Sequence, residues 1–291
     1  VGVRKTLLAI KDHYSSARYS GIACGIKNCG VGNGMSDFSE VRIDVVSEQK
    51  VLIHHGWTEM GQGVNTVAVQ TLHQETGIDP AVIKVIVKTE NEALSGMTTS
   101  SRGTSLLGNA VIAASKQLKD DLENYTLKQL SGKSYAGRWS FDDSTKPGAP
   151  GEIITHYSYS YASQLAIIDE NGRLDKIVAA HDAGRIINKV LFEGQIHGAV
   201  HMGLGYTFTE ELPMEKGFPK GMGFRDLGIL PIKQMPDVEV IAVEDRDPLG
   251  PYGAKGVGEI GLVPTAAAVC NGLTDFDGIR RFKLPLNPRK K

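Results

Sequence analysis

The chain has 291 residues, a net charge of −1, 41% hydrophobic and 22% charged side chains, the balance of a globular protein with one or two domains and a sizeable core. So small a charge offers no basic field for nucleic acid or an anionic membrane, and no apolar run reaches the roughly 18 residues of a membrane span. Three cysteines, an odd number, argue for a reducing, cytoplasmic setting.

In chain order, the first residues carry a helical pattern (Leu7, Leu8, Ile10) directly after Val1, as in a piece of a longer polypeptide or a processed subunit. Cys24 and Cys29 have one of the iron–sulfur spacings, but with only Cys270 remaining they read as structural thiols. Val41–Val45 alternates apolar and polar, and a short turn leads to Lys50–His54, so the pair predicts a hairpin with His54 and His55 at its exposed end. Val64, Val67, Ala68 and Leu72 then fall at helical spacing until Gly77 and Pro80. Ile83–Lys88 alternates as a strand, and a Ser/Thr/Gly loop precedes a long helix with Val111, Ala114, Leu118, Leu122 and Tyr125 on one face.

The second half repeats this order. Gln164–Ile168 and Leu174–Val178 flank the turn residues Glu170, Asn171 and Gly172. Asn188 can cap a helix reaching about Met202, with Gly194 and Gly198 as a small-residue packing face. Val238–Val243 is a strand, Gly253–Gly261 a loop, and Pro264–Asn271 a short helix. The expectation is an α+β fold of two similar hairpin–helix–strand–loop–helix units with mixed sheets and a ligand held between their loops. Residues 1–150 and 151–291 form the two units, joined by a polar linker over Leu130–Gly151.

Three stretches carry chemistry. In Thr58-Glu59-Met60-Gly61-Gln62-Gly63, glycines on both sides of Gln62 free its amide for a ligand, unless the stretch is only a tight strand-to-helix turn. Thr98 to Thr104 places hydroxyls and the Arg102 guanidinium at a helix start, either an anion site or a long cap. Gly253-Ala254-Lys255-Gly256-Val257-Gly258-Glu259-Ile260-Gly261 sets one carboxylate among glycines, an arrangement suited to base catalysis beside a bound cofactor or, equally, a solvated connection. It also spells G-x-G-x-x-G, but two prolines and three acids separate it from the preceding strand, so the dinucleotide-binding reading is rejected. His197 and His201 have metal-ligand spacing without a third ligand and read as core or pocket histidines, and no metal ligand is assigned.

Together these stretches resemble the molybdenum hydroxylases, the xanthine dehydrogenase and aldehyde oxidoreductase family, over nearly the whole chain. The wording is most similar to bacterial xanthine dehydrogenases, including selenium-dependent ones. The resemblance implies the second half of that family's molybdopterin-binding region. It implies Gln62, Gly63, Thr98, Ser100, Ser101, Arg102, Gly103, Gln195, Lys255, Gly256 and Val257 as cofactor contacts and Glu259 as the catalytic base. Arg102 and its hydroxyl neighbours would meet the cofactor's phosphate end or pterin edge, and Lys255 or neighbouring N–H groups would act on Glu259. It implies molybdopterin, with the cytosine dinucleotide as one form, and FAD and 2Fe-2S clusters on other modules or subunits.

The implied partners are the first half of the molybdenum-binding region, those redox modules and a small heterocyclic substrate, with no nucleic acid and no membrane. The implied activity is oxidative hydroxylation of an N-heterocycle, a purine such as xanthine or hypoxanthine. The alternatives are an aldehyde or nicotinate hydroxylase subunit, or a cofactor-free fragment inactive alone. Two departures stand out: Met202 occupies a position where the family often has Gln, and the first molybdenum-binding half is absent.

Overall fold

Two hairpins with one buried face each organise the chain, described in a computed structural model over residues 2–88, 90, 93–221 and 223–287. In β2 (Asp37–Ser47) and β3 (Lys50–His55), Val41, Ile43, Val45, Val51 and Ile53 are buried, while Arg42, Asp44 and Leu52 between them are partly exposed, as the period of two requires. Helix α3 (Val64–Thr76) crosses over from β3 to β4 (Ile83–Val87), which lies parallel to β3. Helix α4 (Gly103–Leu122) follows, and β5 (Ser134–Phe141) closes the sheet in the order β4-β3-β2-β5.

The second sheet has the same plan. Strands β6 (Ser158–Ile168) and β7 (Leu174–Asp182) form its hairpin, and α5 (Lys189–Phe208) begins the crossover. That crossover also holds a small hairpin, β8 (Met214–Glu215) with β9 (Phe218–Pro219), and the short α6 (Phe224–Leu227). It ends in β10 (Asp237–Val243), parallel to β7, and α7 (Thr265–Asp277) packs behind. The expected α+β architecture of two similar units with mixed sheets is the one observed. Each unit has its own core, one around Ile43, Ile53, Leu72 and Leu107, the other around Ile177, Ile196, Leu204 and Val269.

The fourth strand of the second sheet comes from the opposite end of the chain. Strand β1 (Tyr19–Cys29) pairs antiparallel with β6, and Ile10, just after α1 (Gly2–Ala9) and before α2 (Lys11–Ser16), packs with Leu165, Val178 and Ala180 on the sheet's other face. A division at residue 150 therefore does not separate the sheets: residues 2–29 belong with the second. The expected linker over Leu130–Gly151 is likewise corrected, because it contains β5. Its Ser and Gly content hid an alternation in which Tyr135, Trp139 and Phe141 face inward.

Four smaller expectations also change. The N-terminal helix buries Gly2 and Thr6, leaving Leu7 and Leu8 exposed. Tyr125 lies past the end of α4 and is exposed. His54 and His55 are buried, His54 Nε2 lying 2.9 Å from Asp44 and His55 Nδ1 accepting the Trp57 N–H at 3.1 Å. Gly194 and Gly198 have open space around them, and the close contacts of α5 are made instead by Gly203 against Thr265 and Gly205 against Glu210.

One glycine in one edge strand of each sheet sets how the helix behind it can sit. A Cβ on Gly21 of β1 would lie 2.0 Å from the Gly272 nitrogen and 2.3 Å from the Ala268 carbonyl of α7, and one on Gly137 of β5 would lie 2.2 Å from the Ala114 nitrogen and 2.4 Å from the Ala110 carbonyl of α4. Both helices thus cross their edge strand backbone to backbone. Gly21→Ala and Gly137→Ala are each expected to lower stability by about 1–3 kcal/mol, the range for overpacking. Gly194→Ala, in open space within a helix, should raise it by roughly 0.5–1 kcal/mol; urea unfolding of the three variants checks the contrast.

Candidate functional site

In both units the crossover leaves a loop after each parallel strand, at the sheet end where open α/β sheets bind ligands. The four loops, through residues 56–63, 93–102, 183–188 and 244–264, converge on one cleft of about 370 Å³, within the roughly 300–1,000 Å³ of small-molecule sites. Gln62, Thr98, Ser100, Ser101, Arg102, Gly103, Gln195, Lys255, Gly256, Val257 and Glu259 all line it. Gly63 stands just outside that lining, at the start of α3 against Leu191.

The 56–63 loop is tied by Glu59. Burial would raise this carboxyl's pKa, but N–H groups of Asn65, Gly63 and Gly61 bond to it and bring it below the ordinary value. Gln62 turns its amide back on the same loop: Oε1 accepts from Met60 N at 2.6 Å and Nε2 donates to Thr58 O at 2.8 Å. Thr98 Oγ1 accepts from Thr58 N at 3.0 Å, joining this loop to the next.

Ser100 and Ser101 sit at positive φ, 58° and 48°, conformations that non-glycine residues adopt only when held. The Ser100 carbonyl accepts the Gly30 N–H at 2.9 Å. Arg102, expected to face an anion, faces the core instead. Its guanidinium donates to Asp37 Oδ1 at 2.9 Å and to Met97 O at 2.6 Å, and lies over Trp57. Asp37 is fully buried and also accepts the Val31 and Gly32 N–H groups. A core carboxylate thus claims the one guanidinium of that loop.

Lys255 is corrected in the same way. Its ammonium donates to buried Asp182 at 2.7 Å, and its backbone N–H to Ala183 O at 2.8 Å, fastening the Glu259 loop to the end of β7. The cation beside Glu259 is Lys27 of β1, with Nζ 3.1 Å from Oε2. Ser101 Oγ donates to the same Oε2 at 2.7 Å and accepts the Glu259 N–H at 3.1 Å. Oε1 makes no hydrogen bond among the described residues. Below the loop, Thr265 Oγ1 donates to Gln164 Oε1 at 2.8 Å, and Gln164 Nε2 donates to Gly261 O at 2.7 Å beside buried His181.

Sequence reasoning missed Lys27, which lies in an unrecognised strand, and the whole 183–188 loop, which adds Arg185, Ile186, Ile187 and Asn188 to the cleft. The repeat held the clue, because this loop is the second unit's counterpart of 56–63. His197 is exposed and His201 Nε2 bonds the Leu230 carbonyl at 2.7 Å. Among the described residues no group of three or more His, Cys, Asp or Glu side chains could hold a metal ion. The three cysteines are free, and burial pushes the Cys29 thiol up to about 11.

A protein-family model described as a molybdopterin cofactor-binding domain matches residues 9–132 and 126–236. The chain belongs to the molybdenum hydroxylase family. It is 29% identical to a probable xanthine dehydrogenase subunit of Bacillus subtilis, over 93% of this chain and 41% of that protein. It is 28% identical to an aldehyde oxidoreductase of Megalodesulfovibrio gigas, over 93% of this chain and 31% of that protein. The solved aldehyde oxidoreductase from Desulfovibrio gigas superposes with a TM-score of 0.83 at 26% identity, covering 98% of this chain and 34% of that one. The chain thus spans about two fifths or less of these relatives' length. The cleft fits the group that the family implies: the half-exposed Gln62, Gln195 and Ser101 and the glycine backbone at Gly256 and Gly258 offer donors and acceptors to a flat polar ligand.

The buried groups behind the loops can be tested through stability. Lys255→Met would leave buried Asp182 without its cation and should cost about 3–5 kcal/mol, of which Asp182→Asn in the same chain should restore more than half. A urea double-mutant cycle measures the coupling. Burial also lowers His55 to about 4 and His181 to about 3. Both lie below the unfolded value of about 6.5, so the unfolded chain takes up these protons first. Stability should be fully present above pH 6.5 and fall as pH drops toward the folded values. His181→Leu should remove one proton from that slope in pH-dependent unfolding.

Proposed function

We propose that the chain is the part of a molybdenum hydroxylase that holds one side of molybdopterin and supplies the base, and that the complete enzyme hydroxylates an electron-poor carbon of an N-heterocycle, a purine such as xanthine or hypoxanthine. The observation that carries this reading is Glu259: a half-exposed, cleft-lining carboxylate with Oε2 bonded by Ser101 and Lys27 and Oε1 free among the described residues. Gln62, Thr98, Ser100, Ser101, Gly103, Gln195, Gly256 and Val257 hold the cofactor by amides, hydroxyls and backbone groups, while Gly63, bonded to Glu59 and Val67, shapes the turn behind Gln62. Lys255 and Arg102 act from behind the loops, fixing their position. The cofactor, molybdopterin or its cytosine dinucleotide form, would supply two-electron oxidation coupled to oxygen insertion.

This chain's residues place and move the proton. Ser101 and Lys27 anchor Oε2 and restrict the carboxylate's rotation, so Oε1 is the oxygen that accepts the proton released as the substrate is hydroxylated. The glycine backbone around it keeps bulky groups away from the reacting carbon. Partner modules supply the first half of the cradle and the flavin and iron–sulfur centres for electron exit. The structural likeness to aldehyde oxidoreductase supports a second reading, an aldehyde hydroxylase in which the same carboxylate serves the same step.

In the complete enzyme, Glu259→Gln should keep its molybdenum yet lose at least about 10²-fold in kcat, the low end of general-base contributions. Full turnover with full molybdenum would assign the proton to another group. Comparing kcat/KM of the wild-type enzyme for hypoxanthine and for an aromatic aldehyde separates the two substrate classes.

A further inference from the structure

Three cationic side chains line the cleft: Arg102, Lys255 and Arg185. Buried carboxylates neutralise the first two, Asp37 for Arg102 and Asp182 for Lys255. Arg185 is exposed and has no ion pair among the described residues. Glu244, in a neighbouring loop, accepts the Ile186 N–H at 2.9 Å instead. The Arg185 backbone is fixed by its N–H to Gly253 O at 3.0 Å, and its guanidinium lies over the Tyr252 ring, 5.7 Å from the centroid.

That ring is itself held in place. Tyr252 stands at φ 56°, a conformation that a tyrosine adopts only under constraint, and its hydroxyl donates to Glu75 Oε1 at 2.6 Å. The result is a cleft-lining guanidinium held over an aromatic face without a carboxylate partner among the described residues, and a guanidinium can meet a phosphate through two N–H groups at once. The 20-residue helix α5 begins at Lys189, shortly after Arg185, and adds its positive end.

We infer that Arg185, held over Tyr252, binds the phosphate end of the cofactor, a task that the family resemblance gives, together with the pterin edge, to Arg102 and its hydroxyl neighbours. The inference rests on the molybdopterin reading above. Arg185 is bonded to Gly253 and the base is Glu259, so the two stand at opposite ends of one loop. A six-residue segment spans at most roughly 20 Å, enough to set the reacting centre at one end and a phosphate tail at the other. The same chemistry would also take a substrate anion, and the two sources differ in what Arg185 controls: cofactor retention or substrate KM.

The test uses the complete enzyme with its partner modules, as wild type, Arg185→Ala and Arg185→Lys. Molybdenum and released pterin phosphate are quantified after gel filtration at low and high ionic strength, and KM is measured on the loaded fraction. Loss of one charge-assisted phosphate contact should weaken cofactor retention about 10- to 100-fold in Arg185→Ala. Arg185→Lys should fall between that variant and wild type, and KM should stay unchanged. Equal retention in wild type and Arg185→Ala overturns the inference, and a raised KM with full cofactor overturns it in favour of a substrate anion. Wild-type enzyme without molybdopterin overturns the functional reading as well, which distinguishes the two failures.

Discussion

Gly256 lies so close to the Ser101 carbonyl that a Cβ there would come within 1.5 Å of it. No side chain fits, and the rest of the site depends on that contact. It brings the loop after β10 onto the loop after β4, so that Ser101 reaches both the carboxylate and the backbone N–H of Glu259. The seam joins the two units of the repeat, and the cleft exists only along it. On the proposed base role, this backbone-to-backbone contact supplies the fixed placement that proton transfer needs.

Each of the two loops is then locked from behind by a buried ion pair, Arg102–Asp37 in one unit and Lys255–Asp182 in the other. Such pairs add little net stability against an apolar alternative, but breaking one is costly. Their effect here is positional. Each carboxylate also accepts backbone N–H groups, Val31 and Gly32 at Asp37, Gly184 and Asp245 at Asp182. A cation drawn to that point fixes the loop that carries it. The same neutralisation leaves Arg185 as the lining cation without a carboxylate among the described residues, so the cleft's charge pattern follows from which basic residues the core has claimed.

The placement of β1 in the second sheet makes the units interdependent. Strand β1 completes the second sheet and then leads on to β2 of the first, placing Lys27 beside Glu259. Gly21 and Gly137 repeat the same strand-on-helix crossing in the two units, which marks the internal symmetry more plainly than any shared residue. Through β1 and the loop seam, loss of either unit would remove a wall of the cleft.

The repeat, both hairpins, the crossovers and the three loops that carry the family's motifs were all legible in the amino-acid order. Alternation in Val41–Val45 and helical spacing in Val64–Leu72 are local properties, and local periodicity survives in any context. The family and the carboxylate at Glu259 were legible for the same reason, because a glycine-rich loop with one acid is itself a local pattern. Other features arose only when distant segments met. The partners of Arg102 and Lys255 are set by Asp37 and Asp182, which lie far off in the chain, so a motif can name a cation without saying whether the core neutralises it. Lys27 became the neighbour of Glu259 only through the pairing of β1 with β6, and β5 became a strand only through packing on β2 and α4. Those outcomes depend on contacts between distant segments, whose energies no short window of sequence contains.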